Sequence, residues 1–250
     1  MIFVLLPAYN EEKNVKAILD EIRQVLDSRK VLYRVLVVND GSIDNTLKVL
    51  ESVRDLFPLQ ILSFDENRGV DAVFRQGIEW ICRHSENDDI MISMDCDQTH
   101  KAQTFNLLID ALDEGNDVAI ASRYHKNSKC VNLPFMRAFL SDGINAMLRL
   151  IFPIKGARDY TTFFRAYKIF VLKRALDFYK DRFLMQKGFS CMAEILIKLK
   201  PLGIKLEEVP IDLRFDLRTG KSKMNIKETI QGYLQLIGKE LHAKLSGVFR

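Results

Sequence analysis

No apolar run in the sequence approaches the roughly 18–20 residues that span a bilayer, so no transmembrane helix is expected. Cysteine is scarce. Cys82, Cys96, Cys130 and Cys191 are widely spaced and form no CxxC pair. That argues against a disulfide frame or a zinc site and for reduced core or near-site thiols in a cytosolic compartment. Twelve glycines and six prolines in 250 residues exclude collagen-like and low-complexity classes. Neither GxGxxG nor GxxxxGKS/T occurs, so a dinucleotide fold and a P-loop have no motif to rest on. The opening Met1–Pro7 lacks a basic n-region and meets proline too soon for a signal peptide.

What is present is ordinary globular composition, 48% hydrophobic and 28% charged, at a length that suits one domain over 1–250. The net charge of +4 hides an asymmetry. Residues 1–120 hold 12 basic and 22 acidic side chains, and residues 121–250 hold 25 basic and 11 acidic. An acidic half beside a basic half suits a cation on one side and phosphates on the other. Solvated helices alone also produce such a split.

Short apolar runs alternate with amphipathic segments through residue 121. Strands are expected at Ile2–Leu6, Val35–Val38, Ile61–Phe64, Ile90–Met94 and Val118–Ala121. Helices are expected after a cap at Asn10, after a cap at Asp44, over Gly69–Arg83, and through Phe105–Leu112. This order predicts an α/β fold with a doubly wound, mainly parallel sheet. The second half predicts helices at 135–152, 169–180, 190–200 and 225–245, and one half-buried strand alternating through Val209, Ile211, Leu213 and Phe215. In such sheets ligands sit at the C-terminal ends of the strands. The residues found there are Pro7 to Glu12, Asn39 to Asp44, Asp95-Cys96-Asp97, and Ser122-Arg123-Tyr124.

Asp95 and Asp97 project to one side of an extended chain. Two carboxylates so placed repel unless they share a proton or bind a cation. Mg²⁺ or Mn²⁺, held by these groups and by substrate phosphates, satisfies that requirement. A solvated Asp-x-Asp loop is the simpler alternative.

These residues carry a resemblance. Pro7-Ala8-Tyr9-Asn10-Glu11, Val37 to Ser42 with Asp44 and Thr46, Asn67-Arg68-Gly69, and Asp95-Cys96-Asp97 resemble the successive motifs of glycosyltransferase family 2. Ser122-Arg123-Tyr124, Arg137 to Ser141 with Asn145, Asp159 to Thr162 with Phe164 to Tyr167, Glu208 to Ile211, and Phe215 to Lys223 are similar to its dolichol-phosphate mannose synthase branch. The match runs in order over residues 2–224. Three positions depart from that pattern. Asp71 and Phe163 stand where the branch usually has Gly, and Thr99 stands where relatives often have Gln or Ser.

The resemblance implies a GT-A fold with a nucleotide-sugar-binding half at 1–121 and an acceptor half at 122–250. It implies inverting hexose transfer to a polyprenyl (dolichyl-type) phosphate, or to a glycan. A non-catalytic nucleotide-sugar-binding scaffold is the third reading. Pro7, Tyr9, Glu11, Asp40, Asp95, Arg218 and Lys223 would bind the donor, and Asp95, Asp97 and Thr99 the Mg²⁺ or Mn²⁺. Arg123, Arg137 and Ser141 would meet the acceptor phosphate. Asp159 would serve as a base toward a sugar hydroxyl, or would only anchor Arg123 or Arg137. His100 either orients a metal ligand, approaches the sugar, or is a plain loop residue.

Arg137, Ser141, Asn145 and Arg149 recur every four residues as one polar row of a helix. Phe135, Met136, Phe139, Leu140, Ile144, Met147 and Leu148 give the same helix a wide apolar face. A core-packed amphipathic helix is the simpler alternative; with the lipid acceptor, the resemblance instead implies a peripheral protein at the cytoplasmic face of a membrane, alone or helped by a small membrane partner. Aromatics are not interleaved with the basic stretch Arg218–Lys223, so nucleic acid is not an expected partner.

Overall fold

A computed structural model describes residues 1–218 and the helix 226–245, the last three of these as backbone only. Lys223 therefore lies outside the described residues.

The chain begins with β1 (Ile2–Ala8), α1 (Val15–Ser28), β2 (Tyr33–Asn39), α2 (Thr46–Ser52) and β3 (Leu59–Ser63). It continues with α3 (Val70–Arg83), β4 (Ile90–Ser93), α4 (Thr104–Asp113) and β5 (Val118–Ser122). Then come β6 (Lys129–Val131), α5 (Phe135–Ile151), β7 (Arg165–Lys168), α6 (Ile169–Tyr179) and α7 (Cys191–Leu199). β8 (Leu206–Pro210), β9 (Asp212–Arg214) and α8 (Ile226–Leu245) complete the described elements.

Seven strands form one sheet in the order β3-β2-β1-β4-β7-β5-β8. All neighbours run parallel except β7, which lies antiparallel between β4 and β5. Alternate β1 residues feed opposite faces. Phe3 and Leu5 join α3, α6 and α7 on one side, and Ile2, Val4 and Leu6 join α1 and α4 on the other. Burial on both faces explains why β1 and β2 read as unbroken apolar runs. Each large apolar side chain so buried contributes about 1.5–3 kcal/mol. Pro7 is tolerated because β4 stops pairing at Leu5↔Ser93, so no ladder donor is missed.

Three expectations are corrected. α1 begins at Val15 rather than just after Asn10, because Asn10 adopts a left-handed φ of 54°. The alternation at 209–215 is not one strand. β8 ends at Pro210, and Ile211 leaves the main sheet, its N–H donating to Ser128 Oγ (3.0 Å). β9 then pairs with β6 in a separate two-stranded sheet, and Phe215–Leu217 turn as a 3₁₀ helix. Finally, Cys130 is exposed, whereas Cys96 and Cys191 are buried; no disulfide joins any of the four cysteines.

Candidate active site

The loops after β1 and β2 are knitted together before any ligand arrives. Asn10 N–H donates to Ser42 Oγ (2.9 Å), and Glu11 N–H to Thr46 Oγ1 (2.7 Å). Asp44 accepts from Thr46 N–H (2.9 Å), which satisfies one free donor at the start of α2. Asp40 is buried and accepts from Arg68 N–H (2.7 Å) and Gly69 N–H (3.1 Å). Burial pushes its carboxyl up, and these two donors offset part of the rise. Gly41 is required here. Its φ is +62°, and a Cβ would lie 2.2 Å from the Glu66 carbonyl carbon. Pro7, Tyr9, Glu11, Asp40, Asn67 and Gly69 line one end of a cleft across the C-terminal strand ends.

Asp95 and Asp97 follow β4 and line the middle of this cleft. Burial first, then the charge of Asp97, pushes Asp95 up to about 7, while Arg137 and Arg218 pull it down. Two facing carboxylates with one raised this far are relieved by a divalent cation. Among the described residues no three His, Cys, Asp or Glu side chains converge as a cage. Such a set suits an ion that takes one or two carboxylates and completes its shell with substrate phosphates and water, as Mg²⁺ does. Thr99 is buried, and its hydroxyl donates to Asp97 Oδ1 (2.6 Å), so it orients that carboxylate. Arg218 Nη2 lies 3.5 Å from Asp97 Oδ2.

His100 is buried, and its Nδ1 has no hydrogen-bond partner. That atom lies 3.7 Å from Asp95 Oδ2. Burial lowers the imidazole to about 4, so it is neutral at neutral pH.

A second cavity adjoins the first. Asp95, Asp97, Arg137, Phe189, Arg218 and Thr229 line both. Beyond them its walls are mostly apolar, from Leu140 and Ile144 of α5, Phe163, Ile211, Leu213 and Phe215. Arg123 and Ser141 are also at its wall. Arg123 donates from Nε (2.8 Å) and Nη2 (2.7 Å) to the two oxygens of Asp159. Burial opposes the guanidinium charge, but Asp159 more than compensates and raises Arg123 above its usual range. Burial likewise opposes the Asp159 charge, and Arg123 holds that carboxyl below its usual range. Asp159 thus anchors Arg123, as the second of its two expected readings has it.

Thr161 is the hub that the sequence did not single out. Its hydroxyl meets Arg123 Nη2 (2.6 Å), Asn145 Nδ2 (3.1 Å) and Ser141 Oγ (3.3 Å). The polar row of α5 thus faces inward, with Asn145 fully buried and accepting from Tyr160 N–H (2.7 Å). Arg137 stacks over Phe215, 5.0 Å from its ring centre, and burial followed by Arg218 lowers it. The apolar face predicted for α5 divides. Leu140, Ile144 and Leu148 turn inward, while Phe135, Met136 and Phe139 are 78%, 58% and 63% exposed. Phe189 also went unnoticed in the sequence, because a lone aromatic in a short turn carries no pattern.

The family model for glycosyl transferase family 2 matches residues 3–178. A dolichol-phosphate mannosyltransferase of Pyrococcus furiosus is 30% identical over 235 residues, covering 94% of this chain and 62% of that protein. The chain thus spans less than two thirds of that relative. A polyprenol monophosphomannose synthase of Mycolicibacterium smegmatis is 28% identical over 236 residues, covering 91% of this chain and 83% of that one. A crystal structure of glucosyl-3-phosphoglycerate synthase from Mycobacterium tuberculosis, in complex with Mn²⁺, UDP and glucosyl-3-phosphoglycerate, superposes with a TM-score of 0.67 at 16% identity. It covers 97% of this chain and 79% of that one, a likeness in fold.

Proposed function

The chain belongs to glycosyl transferase family 2, and we propose that it moves a hexose, with inversion, from a nucleotide sugar to a polyprenyl phosphate. One observation carries the reading. A cleft lined by the motif residues at the strand ends meets an apolar cavity, and acidic and basic groups gather at the junction. A mostly apolar cavity with Arg123 and Arg137 in its wall suits the phosphate end of a long hydrocarbon better than it suits a glycan. The P. furiosus and M. smegmatis relatives, named for dolichol phosphate and polyprenol, support this choice.

The donor nucleoside occupies the end formed by Pro7, Tyr9, Glu11 and Asp40. Its diphosphate reaches Asp95, Asp97 and Arg218. Asp95 and Asp97 would hold Mg²⁺ or Mn²⁺, which supplies Lewis-acid stabilisation to the departing nucleoside diphosphate. Arg218 adds a fixed positive group on the same side. Arg123 and Arg137 hold the acceptor phosphate, and guanidinium forks match its oxygens. Ser141 Oγ, against the Thr161 hydroxyl, adds a polar group beside them.

A phosphate oxygen is already an anion at neutral pH, so attack on the anomeric carbon needs no strong general base. This fits the site. Asp159 is committed to Arg123, and burial keeps His100 neutral, with no hydrogen-bond partner at Nδ1.

No helix among the described residues is long and apolar enough to cross a membrane. The lipid acceptor must then be met at a surface. The exposed Phe135, Met136 and Phe139, with Lys126 and Lys129 just upstream, suit docking on an anionic leaflet at the cytoplasmic face, alone or with a small membrane partner.

The reading is tested by chelation and by Asp97→Ala, each assayed for transfer from a panel of nucleotide hexoses. Chelator should abolish transfer, and Asp97→Ala should cost at least about 100-fold in rate. Full activity in excess chelator would remove the Asp95–Asp97 assignment.

A further inference from the structure

Lys187, Gly188 and Phe189 line the donor cleft, Phe189 at its junction with the second cavity, and α3 holds the segment 184–190 that carries them at two points. Asp71, in the first turn of α3, accepts from Gly188 N–H through Oδ1 (2.7 Å). Arg75, one turn later, donates to the Leu184 carbonyl. The segment is held elsewhere as well. Glu194, buried in α7, accepts from Met185 N–H (2.9 Å) and Gln186 N–H (2.8 Å). Gly232 of α8 sits so close that a Cβ there would be 2.9 Å from Ser190 Oγ.

Gly232 lines the donor cleft itself, and Asp71 stands just behind it: its Oδ1 would lie 3.1 Å from a Cβ at Gly69, which lines the cleft beside Asp40. On the other side of the same hydrogen bond, Lys187, Gly188 and Phe189 line that cleft too. Gly188 sits at a φ of +66°, so its amide direction depends on a conformation that few other residues adopt. Phe189 lines both cavities and packs edge-on against Phe163, with ring centres 5.4 Å apart.

The transferred sugar must lie where both cavities meet. Its anomeric carbon faces the diphosphate at Asp95 and Asp97 on one side and the acceptor phosphate on the other. Phe189 is at that place, and Asp71 fixes the turn that carries it. We propose that Asp71 is a positioning residue for the transferred hexose: by holding Gly188, it sets Lys187–Phe189 as the wall against which the sugar packs. The nucleoside diphosphate, bound at the far end and at the Asp pair, does not depend on that wall. The inference rests on the donor reading of the cleft.

The test is calorimetry with Mn²⁺ present, using UDP against UDP-glucose and GDP against GDP-mannose. For the pair that binds, the readout is the Kd of the nucleotide hexose divided by that of its nucleoside diphosphate. Asp71→Ala should raise this ratio about tenfold, the effect of losing one hydrogen bond to a buried wall. Asp71→Asn keeps an oxygen for Gly188 N–H and should stay within about threefold of the unmodified protein. Asp71→Gly serves as the truncation if Asp71→Ala melts below the assay temperature. An unchanged ratio in the truncation, or an equal loss in Asp71→Asn, overturns the proposal while leaving the donor reading intact. If the unmodified protein binds neither pair, the donor reading itself fails and takes this inference with it.

Discussion

Arg123 and Asp159 form a bidentate pair, with Nε at 2.8 Å and Nη2 at 2.7 Å from the two carboxylate oxygens, at the head of the apolar cavity. Asp159 is itself held by its N–H to Glu208 Oε1 (2.7 Å). A guanidinium fixed this way presents its remaining donors in one direction, which favours an incoming phosphate.

Asp159→Ala should therefore destabilise the protein by up to about 3 kcal/mol, because Arg123, its side chain only 15% exposed, is left without its counter-charge. Thermal melts of the purified variant check this. A change in Tm of less than a degree would show that the pair does not hold the loop.

Arg123→Ala and Arg137→Ala should act on the acceptor. Each should raise the acceptor KM or lower turnover, and the Kd for nucleotide sugar should change little. Calorimetric loss of donor binding equal to the loss in rate would contradict the assignment.

His100 provides a pH test. The unfolded imidazole takes its proton near 6.5, and the folded one only near 4. Between those values the unfolded state binds more protons, so this group's contribution is fully present above 6.5 and is lost as pH falls toward 4. His100→Gln removes that loss. The variant's Tm, relative to the unmodified protein without metal, should climb as pH drops from about 6.5 to 4. A constant difference across that range would show that the imidazole is not held neutral.

The exposed aromatics of α5 predict salt-sensitive membrane docking. Each basic group near an anionic surface contributes about 1 kcal/mol and is screened by salt. Flotation with anionic vesicles should weaken steeply as salt is added. Phe139→Glu should weaken it further without lowering Tm, since Phe139 is 63% exposed. If the unmodified protein never floats at low salt, α5 has no interfacial role.

Much of the fold was legible because β1, β2 and β5 are buried on both faces and carry unbroken apolar runs, while α1 and α3 keep helical spacing. β7 was not legible. Arg165-Ala166-Tyr167-Lys168 reads as polar, yet Arg165 is fully buried, with its Nη1 and Nη2 donating to the Met192 and Tyr160 carbonyls, both at 2.7 Å. Those two bonds are tertiary, leave Nε without a partner, and give no local pattern. The 209–215 alternation misled for a related reason: period two specifies extended chain but not which sheet it joins.

In the site, Asp40, Asp95, Asp97 and Arg123 were readable because strand ends collect the polar residues of such sheets. Thr161 and Phe189 were not, since their positions depend on how distant loops pack. Asp71 showed in the sequence only as an acidic residue in an otherwise familiar motif. Its bond to Gly188, 117 residues away, is a tertiary contact that no local pattern announces.

The most direct test of the account is a two-phase transfer assay. The protein, Mn²⁺, a labelled nucleotide hexose and a polyprenyl phosphate are incubated, and the organic phase is analysed by mass spectrometry. The account predicts polyprenyl phosphate carrying one added hexose, formed by the unmodified protein and not by Asp97→Ala. Label that remains in the aqueous phase, on a glycan acceptor supplied in competition, would contradict it.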